Sequence, residues 1–211
     1  NPSLVGSEMC IRDSYSPERL FPMPRAEGRL AVGLMATPDC YGQDIWTGFE
    51  FSWLQEKGKP EVAVLRLTVP AFCSHIVESK SMKLYLNGFA QTRFDSISAV
   101  RERLTEDLGS AFGGAVGVEL LALADSSLGV GDLQGECLDE LDVEITEYER
   151  NPDLLALTAR DGTDDAPVAQ VLTTHLFRSL CPVTAQPDWA SVLVSYTGAP
   201  IDRAGLLKYL V

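Results

Sequence analysis

Histidine is nearly missing from this sequence: His75 and His175 are the only two in 211 residues. The five cysteines, at 10, 40, 73, 137 and 181, are odd in number, scattered and never in a Cys-x-x-Cys pair. That is poor material for a zinc site or a disulfide framework, so no metal is expected and free thiols in a reducing cytoplasm are the economical reading. No apolar run has the length of a transmembrane helix. Cationic residues are outnumbered, with 17 Lys and Arg against 30 Asp and Glu, for a formal charge of −13. So acidic a surface argues against broad contact with nucleic acid or an anionic membrane, yet leaves room for a small anionic cofactor on a local cluster. There is no G-x-G-x-x-G and no Walker spacing: Gly129-Val130-Gly131 and Gly135 match neither and lie among acids.

What remains is ordinary globular composition, 45% apolar and 22% charged, enough for one large domain or two small ones. Residues 1–14 have neither signal-peptide layout nor helical period and read as a non-native, linker-derived segment. From Tyr15 to Thr37 the chain is Pro-rich and reads as an irregular surface arm. Residues 44–54 read as a strand with aromatics alternating at 49, 51 and 53, then a turn, then a second strand over 62–69. Met82, Tyr85, Leu86 and Phe89 fall on one face of a helix for which Ser79 or Ser81 is the natural N-cap. A second helix is expected over 97–108 and a strand over 116–123, an α+β order. A module boundary is expected within or just after the acidic stretch 125–148, giving a first module over 15–148 and a second over 149–211. In the second, strands are expected over 154–159, 171–179 and 191–197, with a turn at 161–165 and a capped helix beginning at Asp202 that stops without a C-cap. The chain therefore reads as a fragment at both ends.

Two stretches carry candidate chemistry. Leu180-Cys181-Pro182-Val183-Thr184-Ala185-Gln186-Pro187-Asp188-Trp189 reads as a loop with a thiol and a carboxylate seven residues apart. Such a pair suits covalent attack followed by protonation, and Arg178 could favour the thiolate; a half-buried Cys beside a solvated Asp is the plainer alternative. The helix start Glu78-Ser79-Lys80-Ser81 offers N–H donors, two hydroxyls and the cations Lys80 and Lys83 to an anion such as a cofactor phosphate. Glu78 could instead accept paired N–H donors from a guanine-like ring, and an ordinary capped helix explains the same residues. His75 and His175 sit among apolar neighbours and read as packed or hydrogen-bonded rather than catalytic.

Together these stretches resemble the bimodular NADPH-dependent 7-cyano-7-deazaguanine reductases, the QueF family of nitrile reductases. The resemblance runs from Tyr15 to Val211. It rests on Gly42-Gln43-Asp44-Ile45-Trp46, Phe51-Ser52-Trp53-Leu54, Ile76 to Asn87 with its Glu-Ser-Lys-Ser start, Gln91-Thr92-Arg93-Phe94, Gln186-Pro187-Asp188-Trp189 and Ile201-Asp202-Arg203. It implies a tunnel fold (T-fold) of two tandem modules of antiparallel strands with paired helices, the second incomplete here. It implies reduction of the nitrile of 7-cyano-7-deazaguanine to an amine with NADPH, a step towards queuosine in tRNA, in a cytoplasmic enzyme expected to be a homodimer when full length. By the same resemblance Cys181 forms a thioimide and Asp188 donates the proton. Glu78, Ser79 and Lys80 contact the deazaguanine, and Lys80 and Ser81 contact NADPH. The family's later Phe-His-Glu and Arg-Gly segments have no counterpart before Val211, so the chain by itself is expected to be inactive. Two alternatives stay open: another tunnel-fold enzyme acting on a purine or pterin, and a non-catalytic acidic binding module.

Overall fold

A computed structural model describes residues 14–35, 41–124, 129, 131–158, 166–180 and 186–211. The fold is mixed α+β and divides into two compact units, Asn1–Leu128 and Gly129–Val211, each with its own core. The acidic stretch from Gly129 onward thus goes with the second unit.

The first unit runs β1 (Pro22–Pro24), α1 (Arg25–Ala31), β2 (Gln43–Gln55), β3 (Pro60–Pro70), β4 (His75–Val77), α2 (Ser79–Asn87), β5 (Arg93–Phe94), α3 (Ile97–Phe112) and β6 (Gly117–Leu121). The main sheet has the order β5-β2-β3-β6, and β1 pairs separately with β4. The arm expected to be irregular therefore contains a strand and a helix. Its prolines bound a three-residue strand, where the N–H that proline lacks need not enter a ladder. Arg25, at the start of α1, donates to the His75 carbonyl at 3.1 Å and pairs with the Asp44 carboxylate, tying the arm to β4 and β2.

The alternation in β2 is interrupted. Its register with β3 passes from Gly48↔Leu65 to Phe51↔Ala63, so Phe49 and Glu50 together face Val64. Phe49 consequently turns outward, 65% exposed, whereas Phe51 and Trp53 are 4% and 5% exposed. The three aromatics that read as one face are divided by a β-bulge.

Both helices bury the stripes their spacing predicts. Met82, Tyr85 and Phe89 are buried with Leu86 at the edge, and Val100, Leu104, Leu108 and Phe112 line the inner face of α3. Each such burial contributes about 1.5–3 kcal/mol. α3 runs one turn past Leu108 and stops at Gly113, whose φ of 68° is left-handed and where a Cβ would collide with the Ser74 hydroxyl. Phe89 is ringed by Phe51 at 5.3 Å, Tyr85 at 5.3 Å, Phe94 at 5.5 Å and Tyr15 at 5.2 Å between centroids. Tyr15 reaches this cluster because the chain crosses Gly88 so closely that a Cβ there would lie 2.9 Å from the Ser14 carbonyl. The Tyr15 and Tyr85 hydroxyls both donate to Asp107, at 2.6 and 2.7 Å. Burial first, and Asp107 second, push both phenols above their ordinary value.

The second unit contains β7 (Glu136–Cys137), β8 (Val168–Leu180), β9 (Pro187–Gly198) and α4 (Arg203–Leu210), with sheet order β7-β8-β9. The strand expected over 154–159 does not form in its described part: Pro152–Leu154 is a 3-10 turn and Leu157 makes one isolated bridge to Ile201. Asp202 caps α4 as expected, accepting from the Ala204 and Gly205 amides at 3.2 and 3.3 Å. Arg203 grips Glu136 with two nitrogens, at 2.7 and 2.9 Å. Leu138, Leu172, Leu206 and Leu207 make a small core. β8 also carries a register break: Thr174↔Val192 is followed by Phe177↔Ala190. Asp139 closes it, accepting the Thr174 hydroxyl at 2.6 Å and the His175 amide at 3.2 Å. Partial burial alone would raise the Asp139 carboxyl; the Thr174 hydroxyl, the His175 amide and the Cys137 thiol outweigh it and hold the group below its ordinary value.

Among the described residues, the fully buried Tyr85 hydroxyl donates only to Asp107. Asp107→Ala is expected to cost the first unit about 1–3 kcal/mol, and Tyr85→Phe, which removes donor and demand together, less. Urea unfolding followed by tryptophan fluorescence checks both, and equal losses would show that the hydrogen bonds are not what Asp107 contributes.

Candidate functional site

The helix start at Glu78 is built from the end of β4 inward. β4 delivers the chain in extended conformation, and the residue that caps α2 is Glu78 itself, not Ser79 or Ser81. Its carboxylate accepts the Lys80 amide at 2.8 Å and the Ser81 amide at 2.7 Å. A glutamate can fill this role because its longer stem folds back over the first turn, placing negative charge on the positive end of the helix. These two amides, then the Lys80 charge and the Ser79 hydroxyl, hold the Glu78 carboxyl below the usual glutamate value. The Ser81 hydroxyl is buried, donating to the Glu78 carbonyl at 2.7 Å and accepting from the Phe21 amide at 3.1 Å. Ser79 and Lys80 are exposed.

Beside this helix start lies a groove of about 630 Å3, walled by residues 45–50 of β2, by Leu65 and Leu67, and by Ser79, Met82, Lys83 and Leu86 of α2. Its lining is mostly apolar, with the Thr47 and Ser79 hydroxyls, the Glu50 carboxylate and the Lys83 ammonium among it, the make-up of a small-molecule site. The outward turn of Phe49 at the bulge supplies part of that wall. A larger cavity of about 760 Å3, lined by Trp53, Lys57, Glu61, Phe94 and Ser96 among others, touches none of the candidate catalytic, substrate or cofactor residues.

In the second unit Cys181 lies outside the described residues, as do the 161–165 turn and residues 1–13. Its flanks are described. The stretch expected to be a loop has strand at both ends: β8 runs through Leu180 and β9 begins at Pro187, with Leu180↔Pro187 and Ser179↔Asp188 in register. Proline opens a strand without loss because its first position need not donate. The hairpin therefore sets the residue before the thiol opposite the residue before the acid. Asp188 is exposed. Arg178 lies 5.5 Å over the Tyr148 ring, a cation–π contact that gives its charge a partner other than the thiol. Both histidines are hydrogen-bonded: His75 Nδ1 meets Ser74 Oγ at 2.8 Å and His175 Nδ1 meets Ser191 Oγ at 2.6 Å.

An α+β chain with an acid-capped, cation-flanked helix start and a hairpin flanking a thiol and an acid falls into a known class. Residues 11–120 match the family described as nitrile reductase, 7-cyano-7-deazaguanine-reductase N-term, and the chain belongs to that family. Among its relatives are proteins named NADPH-dependent 7-cyano-7-deazaguanine reductase. That of Burkholderia orbicola is 45% identical over 210 residues, covering 99% of this chain and 75% of the relative. Those of Burkholderia thailandensis and Burkholderia multivorans are 46% and 44% identical over the same coverage. Among the described residues no helix is long and apolar enough to cross a membrane.

The cap gives a pH-dependent contribution. Because Glu78 has a depressed folded value, its stabilisation is fully present above the unfolded value of 4.5 and is lost as pH falls from there through the folded value. Glu78→Ala is expected to lower stability by about 1 kcal/mol at neutral pH. The gap between wild type and variant should close in acid below pH 4.5. Thermal unfolding of both proteins across pH checks this; a gap independent of pH would mean the carboxylate charge is not the cap.

Proposed function

We propose that the protein reduces the nitrile of 7-cyano-7-deazaguanine to the primary amine with NADPH, in queuosine biosynthesis, through a covalent intermediate on Cys181. What supports this reading is the identity shared with such reductases across 99% of the chain. The hairpin register that sets Leu180 opposite Pro187 supports the pairing of the thiol with Asp188. On the family resemblance the reading extends to a tunnel fold of two tandem modules, a cytoplasmic enzyme and a homodimeric assembly.

The chemistry accounts for the residue types. A nitrile carbon accepts hydride poorly. Addition of the Cys181 thiolate to that carbon, with Asp188 giving a proton to nitrogen, converts the triple bond to the C=N bond of a thioimide. NADPH, when bound, supplies two hydrides in turn, one for the thioimide carbon and one for the imine carbon. Between them the thiolate leaves, breaking the C–S bond and returning Cys181 to its starting state. Two protons are consumed in all, one as the thiolate adds and one as the imine is reduced, both from solvent by way of Asp188.

At the helix start, Glu78, Ser79 and Lys80 would hold the deazaguanine, with the Glu78 carboxylate accepting its ring N–H groups. The exposed Lys80 ammonium at the positive end of α2 fits an anionic cofactor, which Lys80 and Ser81 would hold. For Ser81 the group offered would be its amide, released when the Glu78 carboxylate turns to the substrate, since its hydroxyl is held by the Glu78 carbonyl and the Phe21 amide.

Mixing the full-length protein, including the Phe-His-Glu segment, with the nitrile and no NADPH should give one covalent adduct per chain by intact-mass spectrometry, absent in Cys181→Ala. No adduct, or one that survives the substitution, overturns the mechanism. Asp188→Asn should leave nitrile binding within a few-fold while lowering turnover by about 100-fold or more. Equal losses in binding and turnover would make Asp188 a structural residue.

A further inference from the structure

Cys137, Asp139 and His175 are remote in sequence and belong to neither stretch used above, yet each offers a ligand atom within 4.8 Å of the other two. The fold assembles them in three steps. β7 runs parallel to β8 with Cys137 opposite Thr173, and the Leu138 amide donates to the Thr173 carbonyl at 2.8 Å. The chain then turns, so that Asp139 meets β8 one residue further on, at Thr174 and His175. His175 sits in the register break of β8, where its amide goes to Asp139 rather than into the β9 ladder. Ser191, opposite the break, holds His175 Nδ1 at 2.6 Å.

We propose that these three side chains form a binding site for a zinc-class divalent cation, with the Cys137 thiolate, an Asp139 carboxylate oxygen and the His175 imidazole as ligands and a solvent-facing fourth position. The donor set decides the class of ion. Thiolate and imidazole select borderline-soft metals and give little to magnesium or calcium, which take oxygen. Tetrahedral zinc with bonds of about 2.0–2.3 Å needs ligand atoms roughly 3.5 Å apart. Closing from 4.8 Å asks only for side-chain rotation, and Cys137 and His175 are exposed and able to rotate. The outer contacts are those a metal site uses. Ser191 can accept Nδ1–H, the tautomer that leaves the Nε2 lone pair for a cation, and Thr174 fixes the carboxylate. The scarcity of histidine and the lack of a Cys-x-x-Cys pair, which argue against zinc in the sequence, do not bear on a site whose ligands come together only through parallel strand register.

The proposal is independent of the nitrile chemistry and is tested without substrate. The chelator-stripped, reduced 211-residue chain is titrated with Co2+ and followed by absorption. The expected result is one Co2+ per chain with the strong visible bands of tetrahedral cobalt and a near-ultraviolet thiolate charge-transfer band. Both should be displaced by one equivalent of Zn2+, which should also raise Tm. Cys137→Ser should abolish the charge-transfer band and His175→Gln should weaken cobalt binding at least tenfold, while Cys181→Ser keeps both signals. Far-UV circular dichroism matching wild type establishes that the variants fold. Weak octahedral cobalt spectra in the wild type, no rise in Tm with zinc, or signals that persist in Cys137→Ser and vanish in Cys181→Ser would overturn the proposal.

Discussion

A strand has only two faces, and a strand that must serve both a core and a binding surface has to change which residues it sends to each. The break in β2 at Phe49 and Glu50 makes that change. Before it, Trp46 packs inward on Phe112 at 6.2 Å while Ile45 and Phe49 face out. After it, Phe51 and Trp53 point in and join Phe89. Without the extra residue a strict alternation would bury Phe49 or expose Phe51, and either the aromatic core around Phe89 or the groove beside α2 would be lost. The position of the groove is thus a consequence of one unpaired residue.

The second unit repeats the device. β8 is long and would be flat and regular without the break at His175, which bends it and leaves backbone groups unpaired by β9. Asp139 accepts the His175 amide and the Thr174 hydroxyl oxygen accepts the Leu176 amide, so side chains complete what the ladder leaves open. Beyond the break the register resumes at Phe177↔Ala190 and carries to Leu180↔Pro187. A bulge close to the point where chemistry is proposed re-aims the strand leading to it, which is a common place for such irregularities.

What could be read in the sequence follows from the same physics. The stripes of α2 and α3 were legible because each helix presents one apolar face to one core, and 3.6-residue periodicity survives that arrangement intact. The bulge was not, because Phe49, Phe51 and Trp53 alternate by type whether or not an extra residue is inserted between partners. The cap was misplaced because serine is the commoner N-cap, and nothing in a string of letters shows a glutamate stem folding back. β1 and the start of β9 were hidden by prolines, which discourage a strand reading yet are harmless at an edge or a first position. Cys137 and Asp139 carry a faint signal in their Cys-x-Asp spacing. Their meeting with His175 is set by parallel register between segments more than thirty residues apart, which no local pattern records.

Glu78 then has two employments that exclude each other at any instant. In this structure its two oxygens are spent on the Lys80 and Ser81 amides; on the proposed reading the same oxygens receive the ring N–H groups of the deazaguanine. A cap is worth roughly 1 kcal/mol, so lending the carboxylate to a ligand lowers affinity by less than about tenfold. The two amides it vacates are backbone donors at a positive helix end beside Lys80, the place where an anionic group is stabilised. An anion that occupied them would recover the loss. Under the proposed function, substrate and cofactor would therefore favour each other through one side chain, with the helix cap as the state that holds the site in their absence.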